Sequence, residues 1–148
     1  MDVVAEVDLP CGAAELYTWV DDLSRYPRWL DIVARADRLH EPDNRDVEPA
    51  WAVDLRGRLG PLARSKRLRM VRTELDSPRK VAFDRVELDG RQHSTWRLSA
   101  AVTDAPDGSH LQMHLHYGGS LFGPVLERVL RDEIERSKDR LRALVSAS

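Results

Sequence analysis

Apolar and polar positions alternate at the amino terminus: Val3, Ala5, Val7 and Leu9 are separated by Val4, Glu6 and Asp8. A period of two predicts a strand with one buried face, which Pro10 and Gly12 stop. The pattern then changes. Leu16, Trp19 and Val20 fall at spacings of three and four, predicting a short helix over 13–20 that Asp21 and Asp22 close. Ser24 can cap a second short helical segment with the apolar stripe Tyr26, Trp29, Leu30 and Val33 around Pro27.

A second strand over 34–39 leads into 41–46, where proline, asparagine and acidic residues predict a turn. Trp51, Val53 and Leu55 form the next inward set, followed by a bend at Gly57, Gly60 and Pro61. Leu68 and Met70 continue inward on the following strand. Ser77-Pro78 punctuates, and Val81 and Phe83 then face in. Asp89-Gly90 is a turn signal, and Trp96, Leu98, Ala100 and Val102 make the clearest alternation in the chain. The last strand runs over 110–117, after Pro106-Asp107-Gly108. From Phe122 the period becomes helical through Val125, Leu126, Val129, Leu130, Ile134, Leu141, Leu144 and Val145. This long helix has Pro124 in its first turn and favourable pairs Glu127–Arg131 and Asp132–Arg136 on its exposed side. Its apolar stripe needs a concave partner, and the inner face of the strands is the only one large enough. The expected fold is α+β: a curved antiparallel sheet, with elements in the order β-α-α-β-β-β-β-β-β-α, wrapped around a C-terminal helix.

That order resembles the helix-grip fold of the START/polyketide-cyclase-like superfamily, also called SRPBCC or Bet v 1-like, over nearly the whole chain. The stretch Ala13-Ala14-Glu15-Leu16-Tyr17-Thr18-Trp19-Val20-Asp21-Asp22 with Arg25-Tyr26-Pro27-Arg28-Trp29 is similar to that family's N-terminal signature. Ser94-Thr95-Trp96-Arg97-Leu98, followed by Asp107-Gly108-Ser109-His110-Leu111, is similar to its tryptophan strand and hairpin. The segment Gly118-Gly119-Ser120-Leu121-Phe122-Gly123-Pro124 resembles actinobacterial members described as polyketide cyclase/dehydrase or as lipid-binding proteins. The resemblance implies a cavity between sheet and helix that holds lipids, sterols, polyketides or similar apolar ligands.

Composition narrows the classes. The 148 residues, 42% hydrophobic and 32% charged, suit one domain spanning 1–148 with one core. No run approaches the roughly 18 apolar residues of a membrane span. The acidic, alternating amino terminus lacks the basic start and apolar run of a secretory signal, so a cytoplasmic location is expected. Cys11 is the only cysteine, which excludes an intramolecular disulfide and a thiol metal cluster. A net charge of -2 argues against nucleic acid, and the basic run over 64–69 has no interleaved aromatics on which bases could stack. No Gly-x-Ser-x-Gly elbow is present, and Gly118-Gly119-Ser120 lacks the lysine of a phosphate-binding loop.

The inward sets nominate the cavity residues: Trp19 and Trp29 from the short helices, and Trp51, Val53, Leu68, Met70, Phe83, Trp96, Leu98, Met113, Leu115 and Tyr117 from strands. The long helix adds Leu126, Val129 and Leu130. Trp51 and Tyr117 stand out because each has a polar handle that wants a partner when buried. Arg64, Lys66, Arg72 and Arg85 share the inward parity and could hold a carboxylate or phosphate, unless strand ends and bulges turn them to solvent. His114 and His116 share one face, but it is the outer one. If Leu98 pairs with Leu115, then Arg97 and Ser99 stand opposite these histidines and complete no metal shell. No metal, cofactor or catalytic residue is expected. The leading expectation is binding or carriage of a small hydrophobic ligand, lipid- or polyketide-like, anionic where a strand arginine turns inward. The alternatives are a polyketide cyclase/aromatase-like enzyme, with Arg64, Arg85 and Tyr117 assisting proton transfers, and a protein-interaction or regulatory module. The expected partner is a small hydrophobic molecule, without nucleic acid or membrane insertion, bound by a monomer or homodimer.

Overall fold

Strand β1 (Asp2–Leu9) buries Val3, Val7 and Leu9 and turns Val4, Glu6 and Asp8 outward, as its alternation requires. The structure, a computed structural model, describes residues 1–40, 48–56, 66–119 and 123–146. The predicted turn at 41–46, the bend at Gly57, Gly60 and Pro61, Arg64, Ser120 and Phe122 lie outside the described residues, as does the side chain of Leu126. After β1 come helix α1 (Ala13–Thr18) and a 3-10 helix (Leu23–Arg28). Strands β2 (Val33–Arg38), β3 (Ala50–Leu55), β4 (Lys66–Asp76), β5 (Lys80–Arg85), β6 (Trp96–Ala105) and β7 (Gly108–Tyr117) follow, and helix α2 (Gly123–Ser146) closes the order. The element order is the one read from the sequence.

All pairings are antiparallel, and the sheet runs β1-β7-β6-β5-β4-β3-β2. Strands β2 to β7 therefore pair as consecutive neighbours, while β1 joins the far edge beside β7. The short helices span from one edge to the other, since they connect β1 to β2. The sheet is a curled half-barrel of seven strands, and α2 lies along its concave side. At the β6–β7 hairpin Gly108 has φ +151°, and a Cβ there would stand 2.1 Å from the Leu9 carbonyl oxygen. The close approach of β1 to this turn thus needs glycine.

The β6–β7 register places Leu98 opposite Leu115, Arg97 opposite His116 and Ser99 opposite His114, as predicted. On the convex face the two histidines both contact Asp2 Oδ1, at 2.7 Å from His114 Nε2 and 2.9 Å from His116 Nδ1. Local details differ from the sequence reading. Asp22, not Ser24, caps the 3-10 helix by accepting from the Ser24 N–H at 2.9 Å, which frees the Ser24 hydroxyl for Trp51. On α2, Glu127 pairs with Arg131 at 2.8 Å as expected, but Arg136 turns to Glu133 rather than Asp132. Glu133 is on the buried side with Leu130, Ser137, Leu141 and Val145, so its carboxylate has more to gain from a guanidinium cover than the exposed Asp132 has.

Candidate ligand cavity

The concave face is divided in two. Beneath the short helices it is filled by aromatic packing: Phe83 meets Tyr26 and Trp51 edge-on at centroid distances of 6.1 and 5.6 Å, and Tyr26 lies 4.9 Å from Trp29. The donors in this half are satisfied. Tyr17 Oη donates to the Lys80 carbonyl at 2.7 Å, Tyr26 Oη to Val20 at 2.9 Å, Trp29 Nε1 to Trp19 at 3.1 Å, and Trp51 Nε1 to Ser24 Oγ at 3.0 Å. Burial lifts the Tyr17 phenol to about 12, with the nearby Asp21 charge adding to it.

Beneath α2 the sheet encloses a cavity of about 100 Å³. Strand β1 gives it Val3, Ala5 and Val7; β3 and β4 give Val53, Leu55, Leu68 and Met70; β6 and β7 give Trp96, Leu98, Leu111, Met113 and Leu115. The segment after α1 contributes Leu23, Trp29, Leu30, Ile32 and Val33, and α2 contributes Leu130, Ile134, Ser137, Lys138 and Leu141. Glu6 also borders the space, although its side chain turns to the convex face and meets His110 there. Ala5, Leu98, Met113 and Leu115 are on the concave face yet only half-buried, in keeping with a space that side chains leave open.

Of the residues nominated from sequence, Trp29, Val53, Leu68, Met70, Trp96, Leu98, Met113, Leu115 and Leu130 come together on this wall. Trp19, Trp51, Phe83 and Tyr117 do not. Trp51 and Phe83 belong to the filled half, Trp19 lies half-buried under the Arg28 guanidinium at 5.0 Å, and Tyr117 packs its ring 4.5 Å from that of Trp96. The Trp51 handle is spent on Ser24. Val129 lines a separate cleft of about 10 Å³ with Asp31, Ile32, Arg56 and Glu133.

Of the nominated basic residues, the three described, Lys66, Arg72 and Arg85, are also off the wall. The Arg85 side chain is 7% exposed, and its Nε donates to Glu87 Oε1 at 2.9 Å. The same oxygen accepts the Arg69 backbone N–H at 3.0 Å, and the Arg85 guanidinium further reaches His93 Nδ1 at 3.3 Å and the Ser94 carbonyl at 3.4 Å. Burial pushes the Glu87 carboxyl up, but the Arg69 N–H and the Arg85 guanidinium outweigh it and hold the group below the ordinary carboxylate range. Arg85 faces inward as its parity demands, and its charge is neutralised there. Lys66 begins β4 nearby; desolvation first, and the Arg85 charge second, draw its ammonium below the usual lysine range. Arg72 donates to the Asp21 carbonyl at 2.9 Å.

The sequence pattern of the family described as polyketide cyclase/dehydrase and lipid transport matches residues 1–146. The chain belongs to that family. Comparison with curated proteins finds no match. Among solved structures, a START superfamily protein from Mycobacterium smegmatis is similar, at 16% identity and a TM-score of 0.72 over 99% of this chain and 97% of the other. A protein from Chromobacterium violaceum is similar at 11% identity and a TM-score of 0.68, over 97% of this chain and 96% of its own. The di-domain ARO/CYC protein StfQ of the steffimycin biosynthetic pathway matches at 16% identity and 0.68, with 99% of this chain covering 50% of it. These likenesses show the START-like helix-grip fold.

Within this polyketide cyclase/dehydrase and lipid transport family member, the wall includes residues the sequence reading left off its candidates. Val3, Ala5 and Val7 were inward by alternation, and Ile134 and Leu141 belonged to the apolar stripe of α2. Neither signal says which strand or helical turn borders open space. Ser137 carries no apolar signal; its buried hydroxyl donates back to the Glu133 carbonyl at 2.7 Å. The Arg85–Glu87 pair had a sequence signal in its spacing of two, which in extended backbone puts opposite charges on one face, although Glu87 stands just past the end of β5. Among the described residues no group of three or more His, Cys, Asp or Glu side chains is placed to hold a metal ion, and no helix is long and apolar enough to cross a membrane.

Proposed function

We propose that this chain, acting as a single cytoplasmic domain, binds and carries a small hydrophobic molecule in the cavity between its sheet and α2. The observation that carries this reading is the cavity itself, a void of about 100 Å³ walled almost wholly by apolar side chains. A close-packed interior leaves few such voids, and an apolar cavity of roughly 150 Å³ is enough to stay dry and take up benzene. At about 100 Å³ the space is smaller than that, so it takes a short chain as it stands, and a ring or anything larger, the fluorophore N-phenylnaphthylamine included, requires α2 to move outward from the sheet.

Carriage is favoured over catalysis by the wall. Cyclisation needs a group that gives or takes a proton beside the ligand. The titratable lining residues among those described are Glu6 and Lys138, and both are engaged: Glu6 with His110 at 3.3 Å and Lys138 with Glu135 at 2.7 Å. Native mass spectrometry of gently purified protein, with titration of the neutral fluorophore N-phenylnaphthylamine, tests the reading. Retained hydrophobic species and saturable fluorescence support it. A bare chain that shows no saturable binding of the probe overturns it.

A further inference from the structure

We infer that the hydrophobic ligand enters along the seam between α2 and the segment 30–33, with Ile32 as the gate and the Asp31–Arg140 ion pair as its latch. This deepens the carriage reading and rests on it. A molecule larger than the cavity can enter only where the wall parts. Parting two strands would break a ladder of backbone hydrogen bonds, whereas a helix laid across a sheet can lift with its own ladder intact. The small cleft marks the place. Its five residues are Asp31, Ile32, Arg56, Val129 and Glu133, and Ile32 borders the large cavity as well. The other four each adjoin a cavity residue in the chain, namely Leu30, Leu55, Leu130 and Ile134. The cleft is thus the outer side of one stretch of wall, and half-buried Ile32 belongs to both sides.

The same seam is held by charge. Asp31 Oδ1 lies 3.1 Å from Arg140 Nη1 on α2 and 3.9 Å from Arg56 Nη2 just past β3, and Arg56 Nε also donates to the Asp31 carbonyl at 3.1 Å. The pairs Glu133–Arg136, Glu135–Lys138 and Asp139–Arg142, by contrast, join residues of α2 to one another. Asp31–Arg140 instead ties the helix to the sheet side. Asp31 stands between Leu30 and Ile32, and Arg140 precedes Leu141, so three wall residues flank the pair. The Arg140 side chain is 46% exposed. An ion pair so open to water is weak and screened by salt, and it can break and re-form as the helix lifts.

Stopped-flow binding and release of N-phenylnaphthylamine test the route. Asp31 is off the cavity wall, so Asp31→Asn is expected to raise the association and release rates together, about threefold each, with Kd nearly unchanged. Asp139→Asn, which breaks a pair within the helix, is the control and should leave both rates at the parent's. Ile32→Ala is expected to raise both rates, release more than association, because the side chain is also part of the wall. A wall role alone would raise release and leave association as it was. The probe is neutral, so added sodium chloride should speed its association with the parent by screening the latch and have little effect on Asp31→Asn. Rates of Asp31→Asn that match the control, or parent rates indifferent to salt, overturn the latch. An unchanged association rate in Ile32→Ala overturns the gate. Carriage survives either result. If the parent does not bind the probe saturably, the carriage reading falls and takes this inference with it. The salt measurement uses the unaltered chain, so a variant that fails to fold does not shield the proposal.

Discussion

Arg85 and Glu87 close on each other at the end of β5, with Arg85 Nε 2.9 Å from Glu87 Oε1 and the arginine side chain nearly out of water. A cation in that position depends on its counter-charge. Replacing Glu87 with glutamine keeps the shape, removes the charge and leaves Arg85 uncompensated, so we expect a loss of about 2 kcal/mol at neutral pH, below the full cost of breaking a deeply buried pair. The folded carboxyl sits below its unfolded value, so the stability it contributes is present above the unfolded value of about 4.3 and is lost as pH falls through the folded one. Urea unfolding of both proteins should therefore show a gap that closes in acid. A gap independent of pH contradicts the assignment.

Tyr17 makes the opposite linkage. Its phenol must be protonated to donate to the Lys80 carbonyl, and burial holds it up to about 12. A raised folded value means that the contribution is complete below the unfolded value of about 10 and disappears as pH climbs toward the folded one. Tyr17→Phe should cost about 1 kcal/mol at neutral pH and flatten the alkaline loss of stability. Equal alkaline slopes in variant and parent would rule out Tyr17 as their source.

Trp51 tests the division of the concave face. It is 1% exposed, edge-on to Phe83 and bonded to Ser24, yet off the cavity wall. Trp51→Phe should cost about 1–3 kcal/mol in unfolding measurements, for the lost ring volume and the orphaned hydroxyl, with unchanged probe affinity in the folded protein. Reduced affinity at full folding would move Trp51 to the wall.

The difference between Trp51 and Trp96 shows what was legible in the sequence. Alternation put both on the inner face, and hairpin spacing paired Leu98 with Leu115, because parity and turn length are local properties. The fate of an inward side chain is not local. Trp51 is covered because the 3-10 helix brings Ser24 to its indole, whereas Trp96 packs on Tyr117 and borders the cavity. Arg85 likewise had the right parity and the wrong role, since Glu87 claims its charge. Arg72 also keeps its inward parity opposite Phe83, but its guanidinium lies 6.0 Å from the Trp51 ring in the filled half and is taken by the Asp21 carbonyl.

The cavity makes its own prediction at Ala5, which faces Met113 across the β1–β7 pairing, both on the wall. If the space is real, leucine at position 5 grows into it without displacing a neighbour. Ala5→Leu should then keep the parent's stability or add up to about 1 kcal/mol, while N-phenylnaphthylamine binding is lost. The next residue serves as the control: Val4 is 50% exposed on the convex face, so Val4→Thr should leave both stability and binding close to the parent's. Were this stretch of wall closely packed, leucine would instead force side chains off their rotamers at a cost of about 1–3 kcal/mol. Urea unfolding and probe titration on the same samples separate these outcomes, since filling removes binding without loss of stability and overpacking removes stability as well.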